Sequence, residues 1–232
     1  MALQWLRPGE DFPDVRLATP EGMLAVGGDF SWRRLHRAYS LGIFPWSNPE
    51  DPIIWWSPDP RFVLYPADLK VQRSMRPYLN QGKFRVSYDT RFREVITACQ
   101  GSPRQGRDVG TWISDELLEG YVALHEQGFA HSVEVWDAQG DLVGGLYGVA
   151  LGRVFCGESM FARASNASKY GFIRLVQDLE RRGYWLIDCQ MPTPHLASLG
   201  AAAIPRSEFV RTLALNRSEP TDRGSWSELQ LQ

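Results

Sequence analysis

The sequence predicts an α+β fold, a mostly antiparallel sheet with helices laid against it. Three observations carry this reading. From residue 84 onward the apolar patterning runs strand, helix, helix, strand, strand, strand, helix, strand, helix, so three strands follow one another without a helix between them. The stretch Leu146–Phe161 reads as two apolar strands, Leu146–Ala150 and Val154–Phe161, joined by a turn at Leu151–Arg153. Helical periodicity is plain elsewhere: Phe92, Val95, Ile96 and Cys99 share one face of a helix.

The elements follow in order. Residues 1–28 carry little periodicity and read as loop and turn. A helix capped by Ser31 or Asp29 places Trp32, Leu35, Ala38 and Tyr39 at helical spacing, and Gly42 ends it. Residues 42–61 hold five prolines and three tryptophans, a composition that argues against a regular helix or central strand and predicts a rigid irregular segment. Packing is the expected role of Trp55 and Trp56; Trp46 is a candidate stacking surface. Phe62–Tyr65 reads as a strand, residues 70–81 as a short basic helix bent or ended by Pro77, and Phe84–Ser87 as a strand. Asp89 is expected to cap the next helix, and Gly101–Gly110 is a basic loop of mobile composition. Ser114 caps a helix whose first turn holds Asp115 and Glu116, as the helix dipole favours. His131–Trp136 and Leu142–Val149 are strands around a turn at Asp137–Asp141. A helix over Asn166–Arg182 turns Phe172, Ile173, Val176 and Leu179 inward, ahead of the strand Tyr184–Gln190. A short helix from His195 to Gly200 and a last helix from Ser207 lead to a polar tail, residues 216–232, expected to fray.

Length and composition bound the function. With 232 residues, 44 % hydrophobic and 22 % charged, the chain is an ordinary globular protein with a sizeable core. No apolar run approaches the ~18 residues of a membrane helix, and the N-terminus lacks the apolar centre of a signal peptide, so a cytoplasmic protein is expected. Cys99, Cys156 and Cys189 show no metal or disulfide spacing. Charge is segregated: residues 61–110 hold 10 Lys/Arg against 4 Asp/Glu, and residues 111–160 hold 1 against 8. A basic block beside an acidic one suits a polyanion and a cation as partners, although either block can equally be a solvated face.

One residue does not fit its strand. Glu158 sits among Phe155, Cys156, Met160 and Phe161, and an unpaired carboxylate in such a run costs several kcal/mol. It is either a satisfied structural acid or part of a polar site. The second apolar strand repeats the anomaly with Asp188 and Gln190, which at i and i+2 share a face. Two strands that both end in acid and amide groups suggest one polar site on a sheet.

Ten motifs then occur together: GGDFS (27–31), GIFPW (42–46), WWSPDPR (55–61), GTWI (110–113), HSVEVW (131–136), GGLYGV (144–149), FCGESMF (155–161), NASK (166–169), LIDCQ (186–190) and SLGA with IPR (198–206). In this set the chain resembles the bacterial leucyl/phenylalanyl-tRNA–protein transferase family over roughly residues 20–210. The resemblance implies an acetyltransferase-like C-terminal catalytic domain over residues 63–232 and a small N-terminal domain over residues 1–62. The Gly-rich phosphate loop of acetyltransferases is missing from Phe161–Ser168, so acetyl-CoA is not an expected ligand. The resemblance further implies transfer of Leu or Phe, with Met a third candidate, from aminoacyl-tRNA to a protein with N-terminal Arg or Lys, creating an N-degron that marks it for degradation. The partners so implied are Leu-tRNA, Phe-tRNA and those acceptor proteins. Neither DNA nor membrane is expected, a monomer is, and no cofactor is needed because an aminoacyl ester is already activated.

The resemblance places Asp188, Gln190 and Glu158 at active-site positions. Asp188 is expected to orient the acceptor amine and take its proton, or to act electrostatically while a ribose hydroxyl relays the proton. Gln190 would position the ester or its 3′ oxygen. Glu158 would hold Gln190 or attract the positive N-terminus. Leu146, Phe155, Phe172, Leu175 and Ile187 would line a socket for the donor side chain, although singly each reads as core. Trp46, Trp112, Tyr39 and Tyr121 are candidates to stack the terminal adenosine, a contact of ~1–3 kcal/mol. Arg73, Arg76, Lys83 and Arg85 would take tRNA phosphates, since Asn80 and Gln81 stand where further basic residues are expected. His195 is a secondary candidate; His125 and His131 read as core or surface. Two rival readings remain: an acetyltransferase-like enzyme with another acyl donor such as a CoA thioester, and a non-catalytic tRNA-binding module.

Overall fold

The computed structural model describes residues 3–7, 9–102 and 112–227. A four-stranded sheet comes first, formed by β1 (Gln4–Leu6), β2 (Met23–Gly27), β3 (Phe44–Pro45) and β4 (Ile54–Trp56) in the order β1-β2-β4-β3. The helix α1 (Trp32–Ser40) lies between β2 and β3 in sequence, and Ser31 accepts a bond from Arg34 N as its N-cap. Residues 1–28 are therefore not loop alone. The Pro- and Trp-rich segment is not wholly irregular either, because β4 sits between β2 and β3. Its prolines flank β4, and Pro45 lies on an edge strand, where a missing N–H costs no ladder bond.

A seven-stranded mixed sheet follows. Its strands are β5 (Arg61–Leu64), β6 (Arg85–Tyr88), β7 (Ala130–Trp136), β8 (Leu142–Leu151), β9 (Val154–Ala162), β10 (Leu186–Gln190) and β11 (Ala202–Ile204), ordered β11-β5-β10-β9-β8-β7-β6. Among the described residues its pairings are antiparallel except β9/β10. The remaining helices are α2 (Arg76–Asn80), α3 (Phe92–Gln100), α4 (Asp115–Glu126), α5 (Ala167–Arg181), α6 (Pro194–Ser198) and α7 (Arg206–Asn216). The boundary between residues 62 and 63 falls inside β5. β11 has no counterpart in the sequence reading, since three small or apolar residues carry no periodicity.

Helices cover both faces of this sheet. Along β8, Leu146 and Ala150 join the core beneath α5, whereas Tyr147, Val149 and Leu151 join the core shared with α1, α3 and α4. A strand buried on both faces reads as a continuous apolar run, as this one does. Close approach requires small residues: a Cβ on Gly148 would lie 2.3 Å from Cys156 O and 2.5 Å from the Phe155 ring.

Two local expectations are corrected. Asp89 does not cap α3. It adopts φ 56° and accepts bonds from Ser132 N (2.8 Å), His131 Nδ1 (2.8 Å) and Trp226 N (2.7 Å). The buried Glu134 of β7 serves the start of α3 instead, accepting from Thr90 N at 3.4 Å and Arg91 N at 3.3 Å. The tail through residue 227 is docked, not frayed: the Trp226 ring stacks 3.7 Å from His131 and is buried, and Asp222 accepts from Arg153 and Arg182. One large aromatic side chain offsets the polarity around it. The expected basic loop falls largely on residues 103–111, outside the described residues.

Candidate active site

The site forms where β9 and β10 stop pairing. Their parallel register runs only from Val154/Leu186 to Cys156/Asp188. Just beyond, each strand carries an irregularity. β9 pairs Gly157 with Gly148 and Ser159 with Tyr147, leaving Glu158 as the extra residue of a bulge. β10 pairs Asp188 with Val63 and Gln190 with Phe62, skipping Cys189. Side-chain parity records the first shift: Val154 and Cys156 face the α3/α4 core, and so does Phe161, five residues after Cys156. Bulges re-aim side chains beside functional sites, and these two turn Glu158 and Gln190 toward each other.

Gln190 Nε2 donates to Glu158 Oε1 at 2.7 Å, bridging the open ends of the two strands. Tyr121 OH, from α4, donates to Glu158 Oε2 at 2.9 Å. Tyr39, from α1, lies with its hydroxyl 2.5 Å from that of Tyr121. Burial pushes the Glu158 carboxyl up to about 7, against the lowering effect of the bonds from Tyr121, Tyr39 and Gln190. The nearby charge of Asp188 adds to the rise. Burial, and then the charge of Glu158, holds both phenols well above their ordinary range, so both remain O–H donors.

Asp188 is fully buried and bound at both oxygens. Arg61, at the head of β5, donates from Nε to Oδ1 at 2.7 Å and from Nη2 to Oδ2 at 2.6 Å. Asp188 Oδ1 also accepts from Gln190 N at 3.0 Å, an i to i+2 bond that closes a tight turn. Gln190 has φ 62°, a left-handed conformation that costs a non-glycine residue about 1–2 kcal/mol. Arg61 is the site residue that sequence reasoning missed. A charged residue at the entrance to the apolar run Phe62–Leu64 is the local signal that could have marked it.

The other predicted residues are placed as follows. Leu146, Phe155, Phe172, Leu175 and Ile187 come together in one buried cluster drawn from β8, β9, α5 and β10. Tyr39 and Tyr121 are 1 % and 0 % exposed, so packing covers their rings and neither offers adenosine a stacking face. They reach the site through their hydroxyls. Trp46 is half-buried, its ring centroid 5.5 Å from that of Trp56, and its carbonyl accepts from Trp56 Nε1. Trp112 lines a cavity of about 220 Å³ with Phe30, Ser47, Ile53 and Asp115. Arg73, Arg76, Lys83 and Arg85 are all exposed on the segment from α2 to β6 and the turn before it. His195 Nε2 is buried without a hydrogen-bond partner among the described residues. His125 stacks on Phe92 at 4.2 Å. Among the described residues no group of three or more His, Cys, Asp or Glu side chains is placed to hold a metal ion, and no helix is long and apolar enough to cross a membrane.

Comparison with known proteins agrees along the chain. The family model described as leucyl/phenylalanyl-tRNA protein transferase matches residues 63–214, and that of its N-terminal domain matches residues 28–59. The chain is 57 % identical over 213 residues to a leucyl/phenylalanyl-tRNA–protein transferase of Nitrosospira multiformis, covering 91 % of this chain and 90 % of that one. It is 52 % identical over 227 residues to one of Pseudomonas fluorescens, covering 97 % and 99 %. Among solved structures it is similar to L-PGS from Bacillus licheniformis at 11 % identity and a TM-score of 0.39, covering 87 % of this chain and 66 % of that one, too loose a likeness to bear on fold or function. With both family models matched in order and relatives this similar over nearly its whole length, the chain belongs to the leucyl/phenylalanyl-tRNA–protein transferase family.

Proposed function

We propose that this chain transfers leucine or phenylalanine from aminoacyl-tRNA to the N-terminus of proteins that begin with Arg or Lys. The observation that carries the reading is the Glu158–Gln190 bridge at the open end of β9 and β10, backed by Tyr121 and Asp188. An aminoacyl ester and an amine need little beyond alignment, which can supply ~7–11 kcal/mol, and a group to take a proton. The Gln190 amide spends its NH2 on Glu158, which leaves its carbonyl oxygen to accept from the acceptor amine. Glu158, with a pKa of about 7, is matched to accepting that proton at neutral pH. The amine nitrogen bonds to the ester carbonyl carbon and loses a proton to Glu158, the bond to the 3′ oxygen breaks, and Glu158 returns that proton to the leaving oxygen. Asp188 acts through charge and position, held by two bonds from Arg61 and bonded in turn to Gln190 N.

The buried cluster of Leu146, Phe155, Phe172, Leu175 and Ile187 supports an apolar socket for the donor side chain. Trp46 and Trp112 are the proposed stacking partners of the adenosine, and exposed Arg73, Arg76, Lys83 and Arg85 the phosphate contacts. Residues 63–232 are proposed as an acetyltransferase-like unit and residues 1–62 as a small N-terminal one. Two separate sheets, and family matches that break between residues 59 and 63, support that division. The product would enter an N-degron pathway, with a monomer acting in the cytoplasm on neither DNA nor membrane.

Labelled Leu-tRNA incubated with peptides starting in Arg, Lys or Ala tests the reading. Label should pass to the first two and not the third. Tight CoA binding without transfer would favour a different acyl donor and overturn it.

A further inference from the structure

We propose that Arg61 is a positioning residue for the transfer reaction: through Asp188 it holds the backbone and amide of Gln190 in the orientation that meets the acceptor amine. The proposal rests on the transferase reading above.

Arg61 is 1 % exposed, and its guanidinium is held from several directions. Nε and Nη2 span the two oxygens of Asp188, and Nη1 donates to Gly42 O at 3.1 Å. Its guanidinium carbon lies 4.8 Å from the Phe44 ring centroid and 4.6 Å from that of Phe209. These partners come from the continuous stretch of residues 42–44 leading into β3, from α7 and from β10, so three distant segments meet on one planar group. Asp188 passes that placement on by accepting from Gln190 N. A glutamine at φ 62° persists only where its surroundings impose the conformation, and the Asp188 bond to its backbone N is one of those constraints.

Stability is the weaker account of the pair. An apolar pair of similar volume often stabilises a core as well as a buried ion pair does. A planar fork that fixes both carboxylate oxygens gives geometry that an apolar pair, or a lysine, does not.

The test uses the full chain, Leu-tRNA and an Arg-starting peptide, with kcat and KM measured separately. Arg61→Lys keeps the charge and loses the fork. It should stay folded by circular dichroism, with kcat down by about tenfold or more and KM for Leu-tRNA within about twofold. Arg61→Ala should lose activity and recover part of its kcat in millimolar guanidinium, which refills the same contacts. A folded Arg61→Lys with the wild-type kcat would overturn the proposal. So would guanidinium that raises the melting temperature of Arg61→Ala and leaves kcat flat. If the wild type itself transfers nothing, the transferase reading fails; if it transfers normally and Arg61→Lys matches it, Arg61 alone loses its role.

Discussion

Replacing Glu158 by Gln should stabilise the fold at alkaline pH while disabling the site. The carboxyl is pushed from 4.5 to about 7, chiefly by burial. At about 1.4 kcal/mol per pH unit, that displacement corresponds to about 3 kcal/mol, or about 2–3 once partial exposure is allowed for. The sign follows from proton counting. Between 4.5 and about 7 the folded carboxyl keeps a proton that the unfolded one has lost, so the folded state loses stability as pH rises through that window. Glu158→Gln has no such proton. Its stability relative to the wild type should therefore grow by about 2–3 kcal/mol between about pH 4.5 and about pH 8, read from urea unfolding at several pH values. Transfer should fall by about 10²–10⁴-fold, and the acid limb of the rate profile near 7 should vanish. A stability difference that stays flat with pH, or an acid limb that survives in Glu158→Gln, would refute the reasoning.

Three further perturbations probe the frame around the site. Tyr121→Phe removes a donor to the charged Glu158, a bond of about 1.5–3 kcal/mol; the acid limb should move up by about one to two pH units, and an unmoved limb would count against the network. Gly148→Ala places a Cβ 2.3 Å from Cys156 O; a loss of about 1–3 kcal/mol or more is expected in thermal unfolding, and a neutral result would contradict the close β8/β9 approach. Trp226→Ala empties a buried site against His131; a loss of about 3–5 kcal/mol, with proteolysis after residue 216 faster than in the wild type, is expected, whereas a tail already frayed would lose no stability and be cut equally fast in both.

What the sequence determined by itself was local. The α3 face of Phe92, Val95, Ile96 and Cys99, the Ser31 and Ser114 caps and the apolar strands around Leu146–Phe161 all follow from side-chain periodicity and hydrogen bonds within a few residues. The oddity of Glu158 in its strand was legible for the same reason. Tertiary structure decided the rest. Arg61 meets Asp188 across 127 positions, and Tyr39 meets Tyr121 across 82, separations at which no spacing rule operates. Two acids of similar appearance, Asp89 and Glu134, divide the work around α3 in a way only the β6/β7 register reveals. Most of all, an alternating strand pattern has no room for an extra residue. The bulges at Glu158 and Cys189, in the β8/β9 and β10/β5 pairings, lie just past the last β9/β10 pair, and that coincidence turns two isolated anomalies into one site.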